Sequence, residues 1–214
     1  MGVAACVVVA GGTWWFSKSA ETRFAHAYTN YQIAAAVQQN ATFTPGASAN
    51  PLRESLNQTL ALLLTKETKD TERLTLATQG LQLIAQMNKE VDAIGDAAPA
   101  VASTIDAMQA AAQSPGNLLH RPAMVRMVDL ARKQMSTIED IRGLSYRANF
   151  EITQICDHII ADKGALTNEY TIELNDALPA MGSEFDKREN AYTDLQTNMF
   201  DIQQSFAGFS GSVL

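Results

Sequence analysis

A chain of 214 residues is long enough for one or two domains with a sizeable core. Its few aromatics, 12 Gly and 6 Pro, beside abundant Ala, Leu, Gln, Thr, Asp and Glu, are helix-leaning usage. Asp and Glu number 23 against 16 scattered Lys and Arg, a net charge of −7, which excludes nucleic acid as a partner because phosphate binding needs banked positive charge.

The chain opens on an uncharged, mostly apolar run, Gly2 to Phe16, followed by Lys18, Glu21 and Arg23. Fifteen helical residues reach about 22 Å, short of the roughly 30 Å hydrocarbon core. A signal peptide lacks its basic n-region here, and the A-x-A at Ala25–Ala27 lies far beyond the run. A lipoprotein signal at Cys6 lacks sufficient preceding chain and is followed by further apolar residues. The favoured reading is a membrane anchor, truncated upstream or completed at the interface by Trp14, Trp15 and Phe16. Its lipid contact is the first expected partnership. Taken literally, Lys18 and Arg23 would leave the body in the cytoplasm; basic residues lost upstream would leave it outside, and the periplasmic or extracytoplasmic placement is preferred. Cys6, in this run, and Cys156, in a helical pattern, read as two buried thiols rather than a bridge.

From Ser17 to about Gln39 the spacing of Phe24, Ala27, Tyr28, Tyr31 and Ala35 continues a helix, so residues 1–39 form an anchor with a juxtamembrane helix. Residues 40–50 read as a loop, and Asn50-Pro51 as a helix start, N-cap followed by proline. Apolar residues then recur at threes and fours from Leu52 through Leu63, Leu74, Ile84, Val91 and Ile105 to Ala112, the seam of a coiled coil or long bundle. Glu67 and Asp70 sit in that seam, either as a frayed or wet stretch or as a polar pocket. A second Pro-Gly loop at 114–122 precedes a helix carrying Met127, Ile138, Ile152 and Ile159, which Lys163-Gly164 caps unless it runs on to Leu178. Beyond Pro179 a last amphipathic helix holds Tyr192, Met199 and Ile202, with Ser183 and Asp186 resembling a capping box. The tail 206–214 is a frayed end or the start of a second membrane segment.

Residues 95–106 and 175–186 match at six positions, Asp96/Asp176, Ala97/Ala177, Pro99/Pro179, Ala100/Ala180, Ser103/Ser183 and Asp106/Asp186, with Val101/Met181 and Ile105/Phe185 both apolar. Together with the two Pro-Gly loops this predicts a duplicated unit, residues 40–113 and 114–214. The offset grows from 71 residues at Pro51/Pro122 to 80 at Pro99/Pro179. Each inner proline deprives the residue four before it, Gly95 or Asn175, of a backbone donor. Gly95, Pro99, Asn175 and Pro179 are therefore the hinge candidates, with a kink or break expected at each proline.

No nucleophile elbow, phosphate-binding glycine loop or zinc motif occurs, and His26, His120 and His158 stand far apart. The expectation is no enzyme, no cofactor and no metal. Basic residues gather modestly in the second unit, and Arg126, Arg142 and Arg147 are candidates to hold a carboxylate ligand, against ordinary inter-helix salt bridging.

The stretch Ile94–Arg132, with D-A-A-P-A-V, a Pro-Gly loop and R-x-x-M-V-D-L-A-R-K, resembles the periplasmic domain of type IV pilus methyl-accepting chemoreceptors. The resemblance covers about half the chain. It implies tandem helical bundles without catalytic activity, flanked by membrane helices and feeding a cytoplasmic signalling rod. This chain departs from that pattern, having one membrane segment at most, no signalling hairpin and only the reminiscent Leu130–Met135 in place of the family's L-S-Q-R type motif.

The whole predicts an all-α, elongated bundle of long helices with coiled-coil-like packing and two related units. Its expected role is a sensory input or protein-interaction module taking a small ligand, other subunits or a second copy of itself. The alternative is a structural subunit of a secretion, pilus or motor assembly.

Overall fold

The computed structural model describes residues 2–43, 49–65, 67–115 and 119–205, and every regular element among them is helical. In chain order these are α1 (Gly2–Phe43), α2 (Ala49–Leu63), α3 (Asp70–Ala112), α4 (Arg121–Ala161) and α5 (Asn168–Ser205). The fold is all-α, as the 3.6-residue rhythm requires. Pro51 and Pro122 lie in the first turns of α2 and α4, where a missing N–H has no helical acceptor to disappoint.

Glu67 and Asp70 mark an interruption of the seam rather than a polar pocket. The chain leaves the helix after Leu63 and re-enters at Asp70, and both acidic side chains are exposed. Arg73 shows why the break is stable. Its side chain is 8 % exposed and its guanidinium donates to the Leu63 carbonyl at 3.3 Å and the Thr65 carbonyl at 2.9 Å, while pairing with Asp70 at 3.1 Å. The orphaned carbonyls at the end of α2 are thereby satisfied from the first turn of α3. Arg121 does the same for the end of α3, donating to the Ser114 carbonyl at 2.6 Å.

Neither inner proline ends a helix: α3 continues through Pro99 and α5 through Pro179. Both rings are exposed, so they cost a backbone bond without disturbing a core. Ser183 accordingly lies inside α5, and the capping box read there is not a helix start. Of the two endings foreseen for α4, the cap is the one formed. Lys163 and Gly164 have φ of 55° and 91°, and the Gly164 amide donates to the Ile159 carbonyl at 2.8 Å. Gly164 is obligatory twice over, since a Cβ there would also run into the Asp70 carbonyl.

The chain forms two compact units, and they do not follow the repeat boundaries. The first takes residues 1–37, 97–137 and 191–214; the second takes 38–96 and 138–190. Residues 40–113 and 114–214 each contribute to both, because the long helices change units partway along their length.

The first unit's core is an apolar cluster from four helices: Ala20, Phe24, Ala27, Tyr28 and Tyr31 of α1, Val101, Ile105 and Met108 of α3, Met124, Met127, Val128, Leu130 and Ala131 of α4, and Met199 and Ile202 of α5. The stretch expected to be a juxtamembrane helix is thus a core strut. The second unit's core joins Leu56, Leu60 and Leu63 of α2 to Ala77 and Ile84 of α3 and Ile152, Ile155, Cys156 and Ile159 of α4. Gly80 lets α3 approach here, its notional Cβ standing 3.1 Å from the Cys156 sulfur. Cys156 is a free, buried thiol; the side chain of Cys6 and the tail 206–214 lie outside the described residues.

The matched dodecapeptides share an inside–outside phase. Val101 and Ile105 are buried and Met181 and Phe185 half-buried, while Ser103, Ser183, Asp106 and Asp186 all face out. Their surroundings differ. Val101 and Ile105 fill the first unit's core, whereas Met181 and Phe185 belong to the second unit and line a cavity.

Candidate functional site: a cavity of the second unit

A cavity of about 320 Å³ lies within the second unit, walled by α2, α3, α4 and α5. Leu56, Met87, Leu144, Ala148, Ile152 and Met181 make its surface mainly apolar. The helix spacing places them: Leu144, Ala148 and Ile152 stand at intervals of four on α4, and Met181 and Phe185 repeat that interval on α5. Gly182 leaves the α5 side open, for a Cβ at that position would meet nothing within 4 Å.

Four polar groups reach this wall. The buried Asn149 donates its amide to the Asn88 side-chain oxygen at 2.7 Å, and Ser145 donates to the Ile141 carbonyl at 3.1 Å. Asn57 and Arg53 come from the exposed side of α2. The Arg53 guanidinium stands over the Phe185 ring, 6.0 Å from its centroid, within cation–π reach.

The arginines singled out in the sequence are elsewhere. Arg126 is exposed and belongs to the first unit; Arg142 and Arg147 belong to the second, and neither lines the cavity. Arg142 pairs with Glu139 at 3.2 Å within its own helix and lies over the Tyr146 ring at 5.5 Å. Tyr146, then Glu139, raises its pKa above the ordinary value. Tyr146 in turn donates to Asp92 of α3. The guanidinium fits only because position 95 is glycine, since a Cβ there would approach its Cζ to 2.5 Å. A hinge candidate and a ligand candidate therefore meet, at the turn where Pro99 has removed a backbone donor. Asn175 lies in α5 with its side chain outside the described residues.

A second polar group of the first unit is structural in character. Tyr31 donates to the buried Gln134 side-chain oxygen at 2.5 Å, Tyr28 to Gln203 at 3.1 Å, and the two rings stack with centroids 6.3 Å apart. Burial, with Tyr192 and Tyr28 nearby, pushes the Tyr31 pKa up; burial does the same for Tyr28, against the bond from Gln32. These hydroxyls stay protonated and bonded. Among the described residues no group of three or more His, Cys, Asp or Glu side chains is placed to hold a metal ion.

Comparison with protein-family models, curated proteins and solved structures gives no match. The chemoreceptor resemblance therefore stands on the residues quoted for it. Sequence reasoning missed Arg53, Asn57, Met87 and Gly182. One signal was present: between the matched segments Ala102 is replaced by Gly182, an exchange that removes a Cβ from the helix surface.

Proposed function

We propose that this chain is a non-enzymatic sensory input module of the chemoreceptor kind, held to a membrane by its N-terminal segment with its body outside the cytoplasm. Among the described residues no helix is long and apolar enough to cross a membrane. The anchor thus rests on the apolar run Gly2 to Phe16 and its aromatic edge, with lipid as its partner. The segments 40–113 and 114–214 are read as related by duplication, their long helices packing in coiled-coil fashion along apolar stripes.

The observation that carries the reading is the apolar cavity whose fourth wall, Met181 to Phe185, follows directly on Pro179. An occupant touching four helices prefers one arrangement of them, and that preference is the free energy an input module transmits. Pro179 gives α5 a weakened turn beside the site, the natural place for it to yield.

The test is a thermal-shift screen of the full chain in detergent against small metabolites. It is followed by the spin-label distance between exposed positions Gln58 and Asp186 with each hit. Binding that raises the melting temperature and moves that distance in the wild type, but not in Gly182→Leu, is the expected result. A hit whose binding is indifferent to Gly182→Leu, or no hit at all, overturns the reading.

The alternative, a structural subunit of a secretion, pilus or motor assembly, is favoured by Ile33 and Val37. They lie one turn apart on α1 and are 62 % and 60 % exposed, an apolar strip suited to another subunit or a second copy.

A further inference from the structure

Resting on that reading of the cavity, we infer that its ligand is an anionic amphiphile, a small monocarboxylate whose apolar body fills the cavity and whose carboxylate is taken by Arg53. Ligand pockets run from roughly 300 to 1,000 Å³, so a cavity of about 320 Å³ takes a short body. Its lining of Leu, Ile, Ala and two Met side chains offers such a body burial but no polar recognition. Met87 and Met181 are adaptable, which favours tolerance in the shape of the body.

The polar groups decide the head. Ser145 spends its hydroxyl proton on the Ile141 carbonyl and Asn149 one of its two amide protons on Asn88, and Asn57 lies on the exposed side of α2, so the buried wall keeps too few donors to satisfy a sugar or other many-hydroxyl ligand. Arg53 is different. Although acidic residues outnumber basic ones 23 to 16, no carboxylate among the described residues pairs with it. Arg73, Arg142 and Arg188 each have an acidic partner. The Arg53 Cζ stands over the Phe185 ring at 6.0 Å, a contact that uses none of the N–H donors with which a guanidinium matches a carboxylate bidentately. A cationic ligand would be repelled there, and a neutral one would gain only the apolar walls.

Calorimetric titration of the full chain with 4-phenylbutyrate, 4-phenyl-1-butanol and 4-phenylbutylamine tests the assignment. The three share a body and differ in the charge of the head. The acid should bind most tightly and the amine least. Arg53→Gln, at an exposed position that leaves the core intact, should weaken the acid at least tenfold without altering the alcohol. Arg53→Lys, keeping the charge but not the fork, should fall between. Gly182→Leu should abolish binding of acid and alcohol together. Acid and alcohol binding equally, with Arg53→Gln neutral for both, would overturn the anionic assignment and leave the sensory reading standing. Failure of all three to bind overturns the assignment as well. The sensory reading falls only if no ligand of any charge responds to Gly182→Leu.

Discussion

Tyr31 and Gln134 carry the clearest energetic consequence of any single side-chain pair in the first unit. Gln134 is 4 % exposed and accepts its bond from the Tyr31 hydroxyl, so Tyr31→Phe leaves a buried oxygen without a donor. The loss should be about 1–3 kcal/mol in urea unfolding, the desolvation cost of an unpaired polar atom. Tyr31→Phe with Gln134→Leu removes both partners and should recover most of it; a double variant as unstable as the single would show the bond to be incidental. Titration gives a second test. Burial, then Asp157, pushes the Cys156 thiol from its ordinary value near 9.0 up to about 11. Burial pushes Tyr192 from 10.0 up to about 12, against the bond to Gln196. Both groups hold a proton more tightly folded than unfolded, so the stability they confer is complete below about pH 9 and falls as pH rises towards 11 and 12. The urea midpoint should therefore drop between pH 8.5 and 10.5, and Cys156→Ala should make that drop shallower. An unchanged slope in the variant would count against a buried thiol.

Helix termini and helix interruptions show how far a pattern of residues determines an element. Period and phase were legible: Phe24, Ala27, Tyr28 and Tyr31, or Ile152, Ile155 and Ile159, announce a helix and its buried face without tertiary knowledge. The α2–α3 break was not, because its cause is Arg73 turning back onto carbonyls up to ten residues earlier, a contact no local window contains. The cavity was illegible for a related reason: it is a deficit of volume among four helices, and only its α5 wall left a trace in the repeat. Nor did the sequence reveal that Gly95 makes room for Arg142 on the neighbouring helix. That juxtaposition predicts non-additivity. Gly95→Ala gains about 0.5–1 kcal/mol of helix propensity but displaces the guanidinium, so its net effect should be near zero. In an Arg142→Ala background nothing is left to displace, and the same change should stabilise α3 by about that full amount. A double-mutant cycle on chemical denaturation reads the difference; strict additivity would mean the guanidinium moves aside freely.

For the molecule as a whole, the interleaving of the two units governs which pieces of chain can fold. Each core draws on stretches far apart in sequence, so a cut at the loop between residues 113 and 119 divides both. The α1 contribution sharpens this into a measurement. Ala20, Phe24, Ala27, Tyr28 and Tyr31 are all at most 7 % exposed, and Tyr31 also supplies the donor to Gln134. Removing residues 1–39 as if they were only an anchor strips one wall from the first unit's core, at several kcal/mol for that many buried side chains. Removing residues 1–18 spares every one of them. The shorter deletion should keep the wild-type helical circular dichroism and a cooperative melt. The longer one should lose protection against hydrogen exchange at Val101, Ile105, Met124 and Met127 while Ile84, Ile152 and Ile155 of the second unit retain theirs. Equal protection at both sets of residues in the longer deletion would show that α1 stands outside the core and that the first unit is closed without it.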